Sequence, residues 1–215
     1  MTGNLNVYVQ GNFREKMYKT CKKWRGLTNV DTEIIKILAP LTDNPNKPNE
    51  NGQTPIHFAA WNGHTEIVKI LAHLTDHPNA PDEHGQTPIH KATLKGHTDI
   101  VKIIAPLTDN PNAPDANGKT PIYWAAYYGH TEIVKILSTL THNPNAASNN
   151  GYTPIHLAAR YGYLDIVKIL IPLTENINAP DADDKTPIHW AACNGHTEIV
   201  KLLAPLIDNP NTYFG

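Results

Sequence analysis

The chain has 215 residues, 40% hydrophobic and 18% charged, enough apolar material for a folded protein and too much for a disordered one. Its 18 lysines and arginines against 20 acids leave a net charge of −2, so no global field draws it to nucleic acid or to an anionic membrane. Cys21 and Cys193 are too few for a disulfide scaffold and point to reduced thiols in an intracellular, cytoplasmic setting, and no run reaches the roughly 20 apolar residues of a membrane span.

Residues 1–45 read as a tail and a capping repeat. The opening MTGNLNVYVQGN has neither the basic start nor the apolar run of a targeting peptide. Phe13, Met17, Cys21 and Trp24 recur at i, i+4, i+8 and i+11, so an amphipathic helix is expected from about Asn12, able to cover the open end of a stack of helices. Its other face carries Arg14, Lys16, Lys19, Lys22, Lys23 and Arg25 against Glu15. Two readings stand for that face: a solvated cap, or a patch for an acidic partner. From Asp31, DTEIIKILAPLTDNP has the apolar stripe of a further helix.

From Asn46 the chain repeats itself. TPIH starts at Thr54, Thr87, Thr153 and Thr186 and TPIY at Thr120, every step being 33 residues. GHTEIVK starts at Gly63, Gly129 and Gly195, GHTDIVK at Gly96 and GYLDIVK at Gly162, with the same period. A shared period of this length argues for stacked supersecondary units.

Each unit follows from local chemistry. Thr54 suits an N-cap, and Pro55 the first helical position, where its missing N–H is harmless. Ile56, Ala59, Ala60 and Gly63 share one side, while Phe58, Trp61 and Asn62 share the other. Gly63 ends this inner helix, and Thr65 with Glu66 opens an outer helix with the stripe Ile67, Val68, Ile70 and Leu71. TDHPNAPDEHG cannot continue a helix and reads as a finger with a tight turn. Proline near the outer-helix end (Pro40, Pro106, Pro172, Pro205) costs a hydrogen bond, so a tightened or shortened end is expected. Asp184 replaces the glycine found at Gly52, Gly85, Gly118 and Gly151, and the turn is expected to survive it.

With T-P-I-H, A-A-x-x-G-H and E-I-V-K recurring in phase, the chain resembles the ankyrin repeat family. The resemblance implies an all-α solenoid of stacked antiparallel helix pairs with β-turn fingers, short inner helices and β-hairpin-like fingers lining a concave surface. It covers residues 46–210 as five full repeats, starting near Asn46, Asn79, Asn112, Asn145 and Asn178, with the segment at Asp31 as a degenerate first repeat and 211–215 as a remnant. The apolar Ile199, Val200, Leu202, Leu203 and Leu206 leave a last face without a following repeat. We therefore expect the chain to be a segment of a longer protein, or to bury that face end to end against another molecule.

Function belongs to the face that stacking does not use. Matched inner-helix positions read Phe58, Trp61, Asn62; Lys91, Leu94, Lys95; Trp124, Tyr127, Tyr128; Leu157, Arg160, Tyr161; and Trp190, Cys193, Asn194. These diverge while the framework around them repeats, and Trp, Tyr and Arg are the types that dominate binding at protein interfaces. A protein-binding patch centred on Trp124, Tyr127, Tyr128, Arg160 and Tyr161 is expected, with Phe58, Trp61, Lys91, Leu94, Lys95, Leu157, Trp190, Asn194 and the finger residue Tyr152 contributing. The alternative is that these aromatics are partly packed between neighbours. Finger tips such as Glu50, Glu83, His84, Ala116, Asn149 and Ala182 would tune specificity.

Twelve histidines raise the question of a metal, yet His57, His90, His156 and His189, and His64, His97, His130 and His196, form ladders one repeat apart. At roughly 10 Å per step they are too distant to share an ion and more naturally brace turns. No metal and no cofactor is expected. Nor does any nucleophile elbow, phosphate loop, zinc-protease or dinucleotide motif occur. The expectation is a non-catalytic protein–protein scaffold whose partner is another protein, with no nucleic acid and no membrane. The alternative is a regulatory or targeting arm of a larger enzyme or channel.

Overall fold

Threonine followed by proline starts every inner helix of the computed structural model, which describes residues 29–41 and 44–207. The N-terminal helix expected around Phe13, Met17, Cys21 and Trp24, its basic face and the remnant 211–215 lie outside the described residues.

Helix α1 spans Asn29–Leu38, the degenerate outer helix. Inner and outer helices then alternate: α2 Pro55–Asn62, α3 Thr65–Ala72, α4 Pro88–Lys95, α5 Thr98–Ile104, α6 Pro121–Tyr128, α7 Thr131–Ser138, α8 Pro154–Tyr161, α9 Leu164–Leu170, α10 Pro187–Cys193 and α11 Thr197–Ile207. There is no strand among the described residues. The fold is all-α.

The caps explain the boundaries. Thr87 is extended (φ −94°, ψ 166°), its hydroxyl accepts the His90 N–H, and His90 Nδ1 accepts the Thr87 N–H at 3.1 Å. This reciprocal box satisfies donors a helix start otherwise leaves free. Asn46, Asn79, Asn112 and Asn145 add a brace, each side-chain oxygen accepting the N–H of the isoleucine ten residues on, at 2.9–3.1 Å. Gly63, Gly96, Gly129 and Gly162 close the inner helices at φ 72–81°.

Proline acts as expected in three places. Ala39–Leu41, Ala105–Leu107 and Ile171–Leu173 are single 3₁₀ turns around Pro40, Pro106 and Pro172. Pro205 differs: it lies inside α11, which runs on to Ile207. Asp184 keeps its finger turn at φ 56°.

The described residues fall into two compact units, divided after Asp109. In the first, α2 packs on α3 and α4, α4 on α5, and the outer helices α1, α3 and α5 pack in sequence. In the second, α6, α8 and α10 pack in sequence, each against its own outer helix α7, α9 or α11. Between layers lie fully buried Ile56, Ile67, Leu71 and Ile89 in the first unit, and Ile122, Ile133, Leu137 and Ile166 in the second. Fingers are tight turns joined one to the next: Glu83 N–H donates to Asn51 O in the first unit, Asn149 to Asn117 O and Ala182 to Asn150 O in the second.

Candidate functional site

In the second unit the inner helices present a string of rings. Trp124 packs edge-on to Tyr127 (5.9 Å between centroids) and stacks on Tyr128 (6.2 Å). Tyr127 meets Tyr128 at 4.8 Å and reaches across to Tyr161 of α8 at 5.0 Å. Such edge-to-face pairs set ring quadrupoles favourably. Tyr128 is 46% and Tyr161 38% exposed, while Tyr127 is half-buried. The Tyr161 hydroxyl is pushed up to about 12, first by partial burial and then by a hydrogen bond with Tyr127.

Arg160 carries the string onward. Its guanidinium lies 5.7 Å from the Tyr161 ring and 4.3 Å from that of Trp190 on α10, and Lys185 Nζ sits 4.5 Å from the same indole. Tyr152 of the preceding finger packs on Trp190 at 5.9 Å and donates its hydroxyl to Asp183 at 3.1 Å. Burial first, then that bond, pushes the Tyr152 hydroxyl up to about 12.

A rule links fingers to inner helices. Asp181 Oδ1 accepts the N–H groups of Asp183 and Lys185, and its Oδ2 accepts the Trp190 indole N–H at 2.7 Å. In the first unit Asp82 takes the same finger bonds, and Lys91 Nζ stands 3.0 Å from its Oδ2. Asp115 accepts from Asn117 and Lys119, with Trp124 nine residues on. Where the finger holds Asn49 or Ser148 instead of an acid, the residue nine on is apolar, Phe58 or Leu157. Beside Asp82 and Asp181 the buried carboxylate is matched by a donor from the inner helix.

Leu157 is thereby corrected. It is 3% exposed and packs in the core, unavailable to a partner. Lys91 and Trp190, expected as free contact residues, are in part structural, since each serves a finger aspartate. Trp124 remains half-buried, its indole nitrogen buried without a hydrogen-bond partner among the described residues. Sequence reading missed Asp82, Asp115 and Asp181, although the nine-residue spacing from acid to donor is visible in the chain. It also missed Lys119 and Lys185, the former 4.9 Å from the Trp124 ring.

The first unit gathers a smaller set. Trp61 is 41% exposed with Lys95 Nζ 4.2 Å from its ring, and Phe58 and Leu94 are half-buried. Asn194 is exposed, its amide donating to Trp190 O at 2.8 Å.

The histidines brace turns. His57 Nδ1 accepts the Thr54 N–H, which leaves Nε2 to donate to Gln86 O at 2.9 Å, and His156 does the same toward Thr153 and Lys185. Burial lowers His57 to about 4, outweighing its bond to Gln86 O, and likewise lowers His156. His97 and His196 bond Trp61 O and Arg160 O of the preceding inner helix. Among the described residues no three His, Cys, Asp or Glu side chains are grouped to hold a metal ion.

No described helix is long and apolar enough to cross a membrane. A family model described as ankyrin repeats, spanning three copies, matches residues 26–115, 74–146, 107–181 and 139–213. Among curated proteins, none matches the chain.

Proposed function

The chain belongs to the ankyrin-repeat family, and from that premise we propose that it binds a partner protein through the inner-helix and finger surface and carries out no catalysis itself. Ankyrin repeats are in general protein–protein interaction modules. The carrying observation is the exposure of Tyr128 and Tyr161 beside Arg160, on inner helices whose Trp124 and Tyr127 are half-buried. Water-exposed rings of this kind gain most when a partner desolvates them. Residues 46–210 are the proposed binding module, acting without a cofactor inside the cell.

Site-specific photo-crosslinking tests the surface. A benzophenone side chain in place of Tyr128 is expected to capture a protein partner in cells, and one in place of Lys135 on outer helix α7 is not. Capture from Lys135 alone would move the interface to the other face.

A further inference from the structure

Cations of the second unit are treated in two ways. On the outer helices each lysine has an acid three residues before it: Lys135 with Glu132 at 3.7 Å, Lys168 with Asp165 at 3.9 Å and Lys201 with Glu198 at 2.8 Å. Arg160 and Lys185 have no such carboxylate among the described residues, and both sit over the Trp190 ring, at 4.3 Å and 4.5 Å. Of the acids before Lys185, Asp181 is committed to its finger and the indole and Asp183 to Tyr152, while Asp184 makes no ion pair with Arg160 or Lys185 among the described residues.

A guanidinium stacked on a ring keeps its N–H donors in its own plane, directed away from the ring and free for a planar acceptor. Arg160 is also the only charged residue on α6, α8 and α10. Its charge reaches Tyr123, Tyr152 and Tyr161, which puts it amid the ring string.

We propose that the partner segment taken by the second unit is acidic: Asp or Glu carboxylates pair with Arg160 and Lys185 around Trp190 while an apolar side chain lies on Tyr128 and Tyr161. This rests on the reading of the inner surface as a protein-binding face. Charge-assisted bidentate pairing would set the register, and the rings would supply buried area.

A phage-displayed dodecapeptide library panned on the full chain tests it, with enriched peptides synthesised and measured against variants whose thermal melts match the wild type. Enriched peptides are expected to be rich in Asp and Glu, to weaken by about tenfold or more on Arg160→Gln/Lys185→Gln, and to weaken further from about 0.05 to about 0.5 M NaCl. Neutral or basic peptides lost on Tyr128→Ala/Tyr161→Ala overturn the acidic segment and leave the binding face standing. Peptides indifferent to both double variants, or an empty selection, overturn both readings. A wild-type dimer in sedimentation that Tyr161→Ala dissociates would give the face to a second copy and overturn the proposal as well.

Discussion

The indole of Trp190 and the carboxylate of Asp181 are joined by a 2.7 Å hydrogen bond that ties inner helix α10 to its own finger. Asp181 is thereby held ionised: burial pushes its carboxyl up, but the indole and the finger N–H groups outweigh it, and the pKa is lowered. Aromatics proposed to bind a partner and an aromatic that ties helix to finger therefore both lie on the inner helices, and substitutions should separate them.

Trp190→Phe keeps the ring for Arg160 and Lys185 but removes the donor to Asp181. It is expected to destabilise the chain by about 1–3 kcal/mol in urea titration, the range for stranding a charged acceptor. An unchanged midpoint would mean that the bond carries no net stability.

Leu157→Ala and Tyr128→Ala distinguish core from surface. The first deletes a side chain that is 3% exposed and is expected to cost about 2–5 kcal/mol. The second removes an exposed ring that touches Trp124, Tyr127 and His130 and is expected to cost about 0.5–1.5 kcal/mol. Thermal or chemical melts of the two variants side by side check the contrast.

The legible and the illegible parts of the sequence divide at these residues. T-P-I-H, and T-P-I-Y at Thr120, announced inner helices beginning at Pro55, Pro88, Pro121, Pro154 and Pro187, because cap, proline and terminal glycine all act locally. Leu157 shares its register with the half-buried Phe58, Lys91, Trp124 and Trp190 but is 3% exposed, and matched register alone does not distinguish it from them. Tyr127 and Tyr161 were placed on the candidate face by matched register, and their 5.0 Å contact needed the stacking of α6 on α8. Pro205 inside α11 shows the reverse limit: a local rule that held at Pro40, Pro106 and Pro172 did not decide the last helix.

Acid should weaken the fold in a defined window. Unfolded histidine titrates near 6.5 and folded His57 near 4, so between these values the unfolded chain binds more protons. Stability from His57 is complete above about pH 6.5 and falls as pH drops toward 4, by about 3 kcal/mol in total. His156 and His64, also lowered by burial, act in the same direction. Urea midpoints between pH 7.5 and 4.5 should fall accordingly, and His57→Gln should flatten part of the slope from a lower starting stability. A flat wild-type profile would contradict the buried neutral histidines.

Gly162 and Gly195 share a positive φ, 81° and 75°, but not their surroundings. A Cβ on Gly162 would meet the His196 ring at 2.6 Å, a ring fixed by its bond to Arg160 O, whereas one on Gly195 meets nothing within 4 Å. Both alanine variants carry the left-handed penalty of about 1–2 kcal/mol. Gly162→Ala is expected to cost at least about 1 kcal/mol more, since the histidine brace must yield. Equal melting temperatures would count against that brace.

The most direct measurement compares partner binding by two double variants of equal stability, Tyr128→Ala/Tyr161→Ala on the inner face and Lys135→Ala/Lys168→Ala on the outer face. For the protein crosslinked at Tyr128, the inner pair is expected to lose affinity by about 2 kcal/mol or more, roughly thirtyfold, and the outer pair to bind as the wild type does. Binding kept by the inner variant and lost by the outer one would contradict the account.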